Sequence, residues 1–524
     1  MLKNYLKTAW RNLRKHKTFS VINIAGLSIG IAVCFVIMLY VQNELSYDRF
    51  NKNADRIVRV VFKARINGGQ IFESNVMPPV AATMKNDYPD VEDATRIFVG
   101  GAPKITYGGK VFKGDELAFV DPNFFQIFTL PLIEGDPQTA LQQPNTIIIS
   151  RAMAKKYFGD ADPMGKILVM PDNQNAAFKV TGLIDKVPEN SHFHFDLFAS
   201  MKGIQQSQSD SWMGSNFYTY LLLRPGFDYH KLQAKLPGMV EKYMGPQIQQ
   251  NMGLSLKDFI TRGNRLGFEL QPLTSIHLYS HASFELTPPG NATYVYIFGA
   301  IALFMLLIAC VNFINLSTAS ASKRAKEVGV RKVIGSGKMQ LVKQFLLESG
   351  LLVFCALLIA FFLVQLSLPL FNQISGKSLS FGFNLKIIAG FLGLGVLVSV
   401  ISGLYPAFYL SSFQPAAVLK GTLSRNKKSM GLRGGLVVFQ FFISVSLIIG
   451  TLIVWQQMRY IQHKDLGYDK DHLLTIPNSY ALGNNEKVFE VADSVDSGFR
   501  ANQIEQKSKI TMVNNAIAML GQDD

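Results

Sequence analysis

The sequence predicts a multi-pass α-helical membrane protein with five transmembrane helices and one large α+β domain outside the bilayer. Three observations predict it. The 524-residue chain is 48% hydrophobic and only 17% charged, which is too apolar for an ordinary soluble protein. Five segments are long and apolar enough to cross a bilayer, which takes roughly 20 residues. Basic residues gather in connections that fall on one side of those segments if the five helices alternate.

Residues 1–18 open the chain as an amphipathic helix. Leu2, Tyr5, Leu6, Ala9, Trp10 and Leu13 recur at helical spacing, while Lys3, Lys7, Arg11, Arg14 and Lys15 fill the other face. Such a helix suits the bilayer interface. The first transmembrane segment is 19–41, with the acid Glu44 only beyond its end. Its run is long for a signal-peptide core, and the following YVQNELSYD offers no small-x-small cleavage site, so it reads as a retained anchor.

Residues 42–291 form the outside domain. RIVRVVFKARI (56–66), TIIIS (146–150), FKVTGLI (178–184) and YTYLLLR (218–224) read as strands. Ser150 is placed to cap a short helix over 151–158, and Gly159 to end it. About 250 residues can bury a core of their own. The second transmembrane segment, 292–316, carries no charge; the third, 345–371, contains Glu348; the fourth, 387–410, has Pro406 near its end; the fifth, 435–455, is uncharged.

Charge then orients the chain. The N-terminal segment 1–18, the connection 317–344 and the loop 411–434 hold eighteen bases and one acid, whereas the whole chain is only +15. The basic balance is thus a topology signal and not one for nucleic acid. It places these three segments in the cytoplasm and 42–291 outside. The fifth helix leads outward into 456–524. There DLGYDK (465–470) echoes ELSYDR (44–49), both reading acid-Leu-small-Tyr-Asp-base beyond an apolar segment. The echo marks the start of a second outside domain that the remaining length leaves incomplete.

Candidate chemistry is sparse. Residues 323–340, KRAKEVGVRKVIGSGKMQ, hold a Gly-Ser-Gly-Lys run, but a phosphate-binding loop would need Gly at Lys332 and Ser or Thr at Met339. His192 and His194, with Asp196, would share one face of a strand; no further ligands have a convincing spacing, so a structural role is favoured over zinc. No nucleophile-elbow motif flags a hydrolase. Cys34, Cys310 and Cys355 all lie in apolar runs and read as helix packing rather than disulfides. Asn312 and Asn315, three apart in the second helix and followed by STASAS, favour helix–helix packing. Neither a metal nor a cofactor is expected. The stretch 323–340 is expected to break at Gly329 and again at Gly335-Ser336-Gly337, leaving a short basic helix as a rigid cytoplasmic knob.

The segment SKRAKEVGVRKVIGS (322–336) resembles the coupling segment of MacB/FtsX-type ABC transporter permeases. The outside domain is similar to the MacB-like periplasmic core through DPNFFQIFTLPLIEGDP (121–137), IIISRAMAKKYFG (147–159) and DPMGK (162–166). The order of one helix, a large outside domain and three further helices resembles that family's topology. The resemblance implies an α+β periplasmic domain, a bacterial inner-membrane location, and a non-catalytic permease that transmits the motion of a separate ABC ATPase. Export of peptides, drugs or lipoproteins is the implied task. Implied partners are that ATPase, a second permease copy, the bilayer and a periplasmic adaptor, without nucleic acid. The implied ATPase-coupling contacts are Lys326, Glu327, Gly329, Arg331, Lys332 and Gly335. One family form duplicates the unit into eight helices, against which this chain reads as truncated. The alternatives are an FtsX-like scaffold regulating a cell-wall hydrolase and a membrane sensor or receptor.

Overall fold

The computed structural model describes residues 2–15, 17–171, 176–320, 328–382, 385–411 and 427–464. Lys326, Glu327 and the echo at 465–470 lie outside them. Five described helices are long and apolar enough to span a membrane: Lys17–Leu45, Ala292–Ala319, Lys338–Ser375, Leu385–Ser411 and one within Lys427–His463. They are called the first to fifth membrane helices below.

Local chemistry sets several helix ends. Asn291 caps the second membrane helix, its Oδ1 accepting from the Thr293 N–H at 2.8 Å. Gly376, with φ 66°, ends the third in the left-handed conformation that favours glycine. Between these ends, small residues let the helices approach. A Cβ on Gly30 would sit 2.5 Å from the Ala309 Cβ, so the first two membrane helices touch almost backbone to backbone. Gly395 against Leu357 and Gly403 against Ser349 do the same for the third and fourth. The shared core includes Leu27, Ile31, Phe35, Leu306, Phe313, Val353 and Val398. The amphipathic helix Leu2–Lys15 divides its apolar stripe: Ala9 is buried and Leu13 packs on this core, while Trp10 stays exposed.

Outside the bundle, the described residues form one mixed sheet of 13 strands. Its middle runs in the order Ile57–Ile66, Tyr218–Leu223, Val91–Gly101, Leu117–Val120, Leu197–Ser200, Thr146–Ser150 and Ala176–Ile184. Two neighbour pairs are parallel: Leu117–Val120 with Leu197–Ser200, and Thr146–Ser150 with Ala176–Ile184. The remaining pairings in this stretch are antiparallel.

The strands Leu117–Val120, Leu197–Ser200, Thr146–Ser150 and Tyr218–Leu223 are buried along their whole length because both faces of the sheet are covered. In Ile57–Ile66, alternate residues Val58, Val60, Phe62 and Ala64 face one core. Ile57 lies in a second core with Phe124, Phe128, Phe193, Phe198 and Tyr220. A third core around Ile147, Ile149, Tyr157 and Phe178 fills the distal side. The expected cap is present: Ser150 Oγ accepts from the Met153 N–H at 3.3 Å, the helix runs Arg151–Phe158, and Gly159 has φ 65°.

In the stretch 121–137 the phenylalanines supply the second core, and Gly135 supplies a tight crossing. Its φ is 94°, and a Cβ there would lie 2.5 Å from the Thr181 carbonyl oxygen. We expect Gly135→Ala to destabilise the sheet domain by about 2–4 kcal/mol, since backbone strain and a backbone clash combine. Gly109→Ala, at φ 76° with open space around it, should cost only about 1 kcal/mol. Thermal unfolding of the two purified variants measures the difference; equal losses would contradict the crossing.

Candidate functional sites at the two ends of the bundle

At the end of the bundle remote from the sheet, residues 328–333 form a short helix. Gly329 lies buried inside it, so the expected break at Gly329 does not occur. Helical geometry needs no special φ there, and the absence of a side chain suits close packing. The break falls at Gly335, whose φ is 100°, where the Gly335 and Ser336 N–H groups donate to the carbonyls of Lys332 and Arg331. Gly337 then opens the third membrane helix.

This short helix is anchored on one side. Val328 packs with Leu341, Val342, Phe345, Ala407 and Leu410, tying it to the third and fourth membrane helices. Arg331 Nη1 donates to Gln344 Oε1 at 2.6 Å, so Arg331 braces the segment as well as carrying charge. Both Arg331 and Lys332 are half-buried, and Gly335 is exposed. The strongly exposed side chains are apolar: Val333 is 64% and Ile334 79% accessible, with Val330 and Met339 beside them in sequence. Sequence reasoning singled out the charges and missed this apolar tip. The signal was available, since four β-branched apolar residues within a basic connection are not needed for topology.

Asn312 and Asn315 lie one turn apart in the second membrane helix. Asn312 Nδ2 is 3.5 Å from where a Cβ on Gly26 of the first would stand, and Asn315 Oδ1 is buried without a hydrogen-bond partner. Asn312 thus faces the neighbouring helix.

The other end of the bundle holds a buried charged joint. Glu44, in the last turn of the first membrane helix, is 2% accessible. Its Oε2 accepts from His277 Nε2 at 2.9 Å, and its Oε1 lies 2.6 Å from Lys377 Nζ. Since the carboxylate only accepts, the proton on His277 that faces it sits on Nε2. Lys377 Nζ also donates to Tyr47 Oη at 2.9 Å. The Tyr47 ring stacks flat on His277, with centroids 3.4 Å apart. Burial opposes the charge on Lys377, but the hydrogen bonds to Glu44 and Tyr47 outweigh it and hold its pKa above the ordinary value. Gly290, just before the second membrane helix, closes the joint: a Cβ there would lie 2.7 Å from His277 Nε2 and 2.8 Å from Glu44 Oε2.

Two further buried pairs extend inward from this joint. Asp48 Oδ1 contacts His192 Nδ1 at 2.8 Å, and His192 Nε2 reaches Tyr220 Oη at 2.7 Å. Arg59, fully buried, grips Glu285 with both Nη atoms at 2.6 Å. His192 therefore has a structural post. It precedes the strand Leu197–Ser200 instead of lying in one, and its neighbour His194 is exposed and meets the Glu189 carbonyl. His192 and His194 do not converge on a common point.

Gly290→Val should drive Glu44 and His277 apart and leave a buried carboxylate half-paired, at a cost of about 3–5 kcal/mol. Thermal unfolding in detergent should then show a clearly lowered transition. A wild-type transition would mean that the joint tolerates a side chain at Gly290.

Comparison with known proteins follows the same division. Residues 20–238 match the family model of the MacB-like periplasmic core domain, and residues 299–415 that of the FtsX-like permease C-terminal region. The chain is 22% identical over 440 residues to the uncharacterized ABC transporter permease YvrN of Bacillus subtilis strain 168, covering 79% of this chain and 99% of that protein. It is 22% identical over 441 residues to the pyoverdine export ATP-binding/permease protein PvdT of Pseudomonas syringae pv. syringae strain B728a, covering 79% of this chain but only 59% of that one. The chain thus spans about three fifths of the latter's length. The crystal structure of the periplasmic region of MacB from Actinobacillus actinomycetemcomitans aligns at 14% identity with a TM-score of 0.28, over 43% of this chain and 91% of that one.

Proposed function

The chain belongs to the MacB/FtsX-type ABC permeases, with a MacB-like periplasmic core domain and an FtsX-like permease region, and from that premise we propose that it is a mechanotransmitting permease subunit. In this reading a separate ATPase chain binds nucleotide and hydrolyses it. Its closure displaces residues 322–336, and the membrane helices carry that displacement to the periplasmic domain. Exported cargo, whether peptide, drug or lipoprotein, is handled by the domain outside and does not pass through the bundle. The basic segments lie in the cytoplasm, the sheet domain in the periplasm, and the helices in the bacterial inner membrane. A second permease copy completes the assembly.

One observation carries the reading. Residues 328–333 are braced on their inner side by Val328 and Arg331, while Val333 and the following Ile334 face outward. A short helix that is rigidly seated and apolar at its tip is built to be gripped by a groove on another protein. Exposed apolar side chains contribute affinity through burial, while nearby Arg331 and Lys332 favour an acidic rim. Lys326 and Glu327 are assigned to the same contact by resemblance alone. Gly329 serves packing, and Gly335 serves the turn into the third membrane helix.

Two variants test the proposal in proteoliposomes that hold the permease with its co-expressed ATPase. Arg331→Glu with Lys332→Glu should lower permease-dependent ATPase stimulation by about tenfold, which corresponds to about 1.4 kcal/mol of lost coupling. Membrane insertion should be unchanged. Ile334→Glu, at an exposed position with no packing to lose, should weaken ATPase co-purification similarly. Full stimulation in both variants would overturn the reading.

A further inference from the structure

The third membrane helix is continuous from Lys338 to Ser375. At 1.5 Å per residue it is about 57 Å long, with Pro369 in its last two turns. One end emerges from the turn at Gly335 that follows residues 328–333. The other end runs through Gly376 into Lys377, the residue that holds Glu44 and Tyr47. A single secondary-structure element therefore connects the exposed apolar tip to the buried joint beneath the sheet domain.

The loop after this helix is not a loose tether. Asn372 Nδ2 donates to the Leu379 carbonyl at 2.8 Å, and the Leu379 N–H donates back to Asn372 Oδ1 at 3.0 Å. Gln365 Nε2 donates to the Phe381 carbonyl at 3.3 Å. The Phe381 ring packs edge-on against Phe35, Phe361 and Phe391 at 5.2–5.4 Å. These bonds tie residues 377–381 to the helix on both sides of Pro369, so a displacement of the helix displaces Lys377 with it. The loop grips the base of the domain twice: Lys377 through Tyr47 and through Glu44, which in turn accepts from His277 of the sheet domain, and Ser378 through a hydrogen bond to Glu189. Glu189 adjoins Asn190, whose side chain donates to the Ser46 carbonyl at 3.0 Å and whose carbonyl accepts from the Asp48 N–H at 2.7 Å. Residues 44–48, 189–190 and 377–378 thus form one cross-braced node.

We propose that Lys377 is the output contact of the third membrane helix, a positioning residue through which that helix moves the sheet domain. The proposal rests on the mechanotransmission reading for its purpose, but its geometry stands apart from it. An ammonium held by a carboxylate and a phenol transmits a push or a pull in several directions, because each bond resists a different displacement. An apolar contact at the same place would slide. Arginine can reproduce the charge and the multiple donors, whereas methionine keeps the stem and loses both.

The test uses the full-length chain in nanodiscs, with Cys34, Cys310 and Cys355 replaced by alanine. Spin labels go on exposed positions Gln373→Cys, at the outer end of the third membrane helix, and Lys155→Cys, on the helix Arg151–Phe158 of the sheet domain. Lys377→Met should broaden the measured distance distribution about twofold, as expected for a released joint, and Lys377→Arg should keep it narrow. With the co-expressed ATPase present, Lys377→Met should bind the ATPase normally yet lose coupled transport about tenfold, again rescued by arginine. A narrow distribution in Lys377→Met overturns the proposal, as does full transport despite a broadened one. The distance measurement involves no ATPase, so it judges the joint independently. Failure of the Arg331 and Lys332 reversal to affect ATPase stimulation would instead sink the transmission reading alone.

Discussion

A carboxylate buried at the end of an apolar helix sets the terms for much of this structure. Glu44 is 2% accessible, and an isolated charge so placed costs several kcal/mol unless it is paired. Its partners come from far apart in the chain: His277 from the sheet domain and Lys377 from the turn between the third and fourth membrane helices. Satisfying one charge thus forces three elements to meet. Gly290 leaves the space for that meeting, and Tyr47 covers it. Asp48, His192, Tyr220, Arg59 and Glu285 continue the pattern inward, each making at least one side-chain hydrogen bond.

The two ends of the bundle solve different physical problems. The joint beneath the sheet must hold its geometry, and paired charges with fixed hydrogen bonds resist sliding. At the remote end Val333 and Ile334 form an exposed apolar tip on a braced helix, the surface that the proposed ATPase contact would bury. Between them, Gly30, Gly395 and Gly403 bring the helices into close contact, where van der Waals packing replaces the hydrophobic drive that lipid cannot supply. Such packing is stiff because it has little room to rearrange.

Much of the architecture was legible. Uninterrupted apolar runs announce membrane helices because backbone groups in lipid must be satisfied within the segment. The apolar strands and the Ser150 cap follow from local rules and appear as read. In the sequence ELSYDR stands out only as one half of an echo, yet its Glu44 and Tyr47 form the joint and its Asp48 the pair next to it. Their pattern was visible, and their partners were not, because His277 and Lys377 lie hundreds of positions away. Charge counting singled out Arg331 and Lys332 but could not show that Arg331 donates to Gln344. Whether a cation is braced or free depends on a neighbour such as Gln344, which helical periodicity alone does not reveal. Gly329 misled for a related reason: glycine permits a break without requiring one.

The sequence by itself determined that five helices are long and apolar enough to cross a membrane, that an α+β domain stands on one side, and which connections are basic. These properties follow from hydrophobicity, charge and short-range backbone preference, all of which act within a few residues. Only the tertiary structure decided that Glu44 meets Lys377, that His192 serves Asp48 and Tyr220, and that Val333 and Ile334 point outward. Such pairings depend on which distant elements are brought together, and a buried charge constrains only that some partner exists, without saying where in the chain it lies.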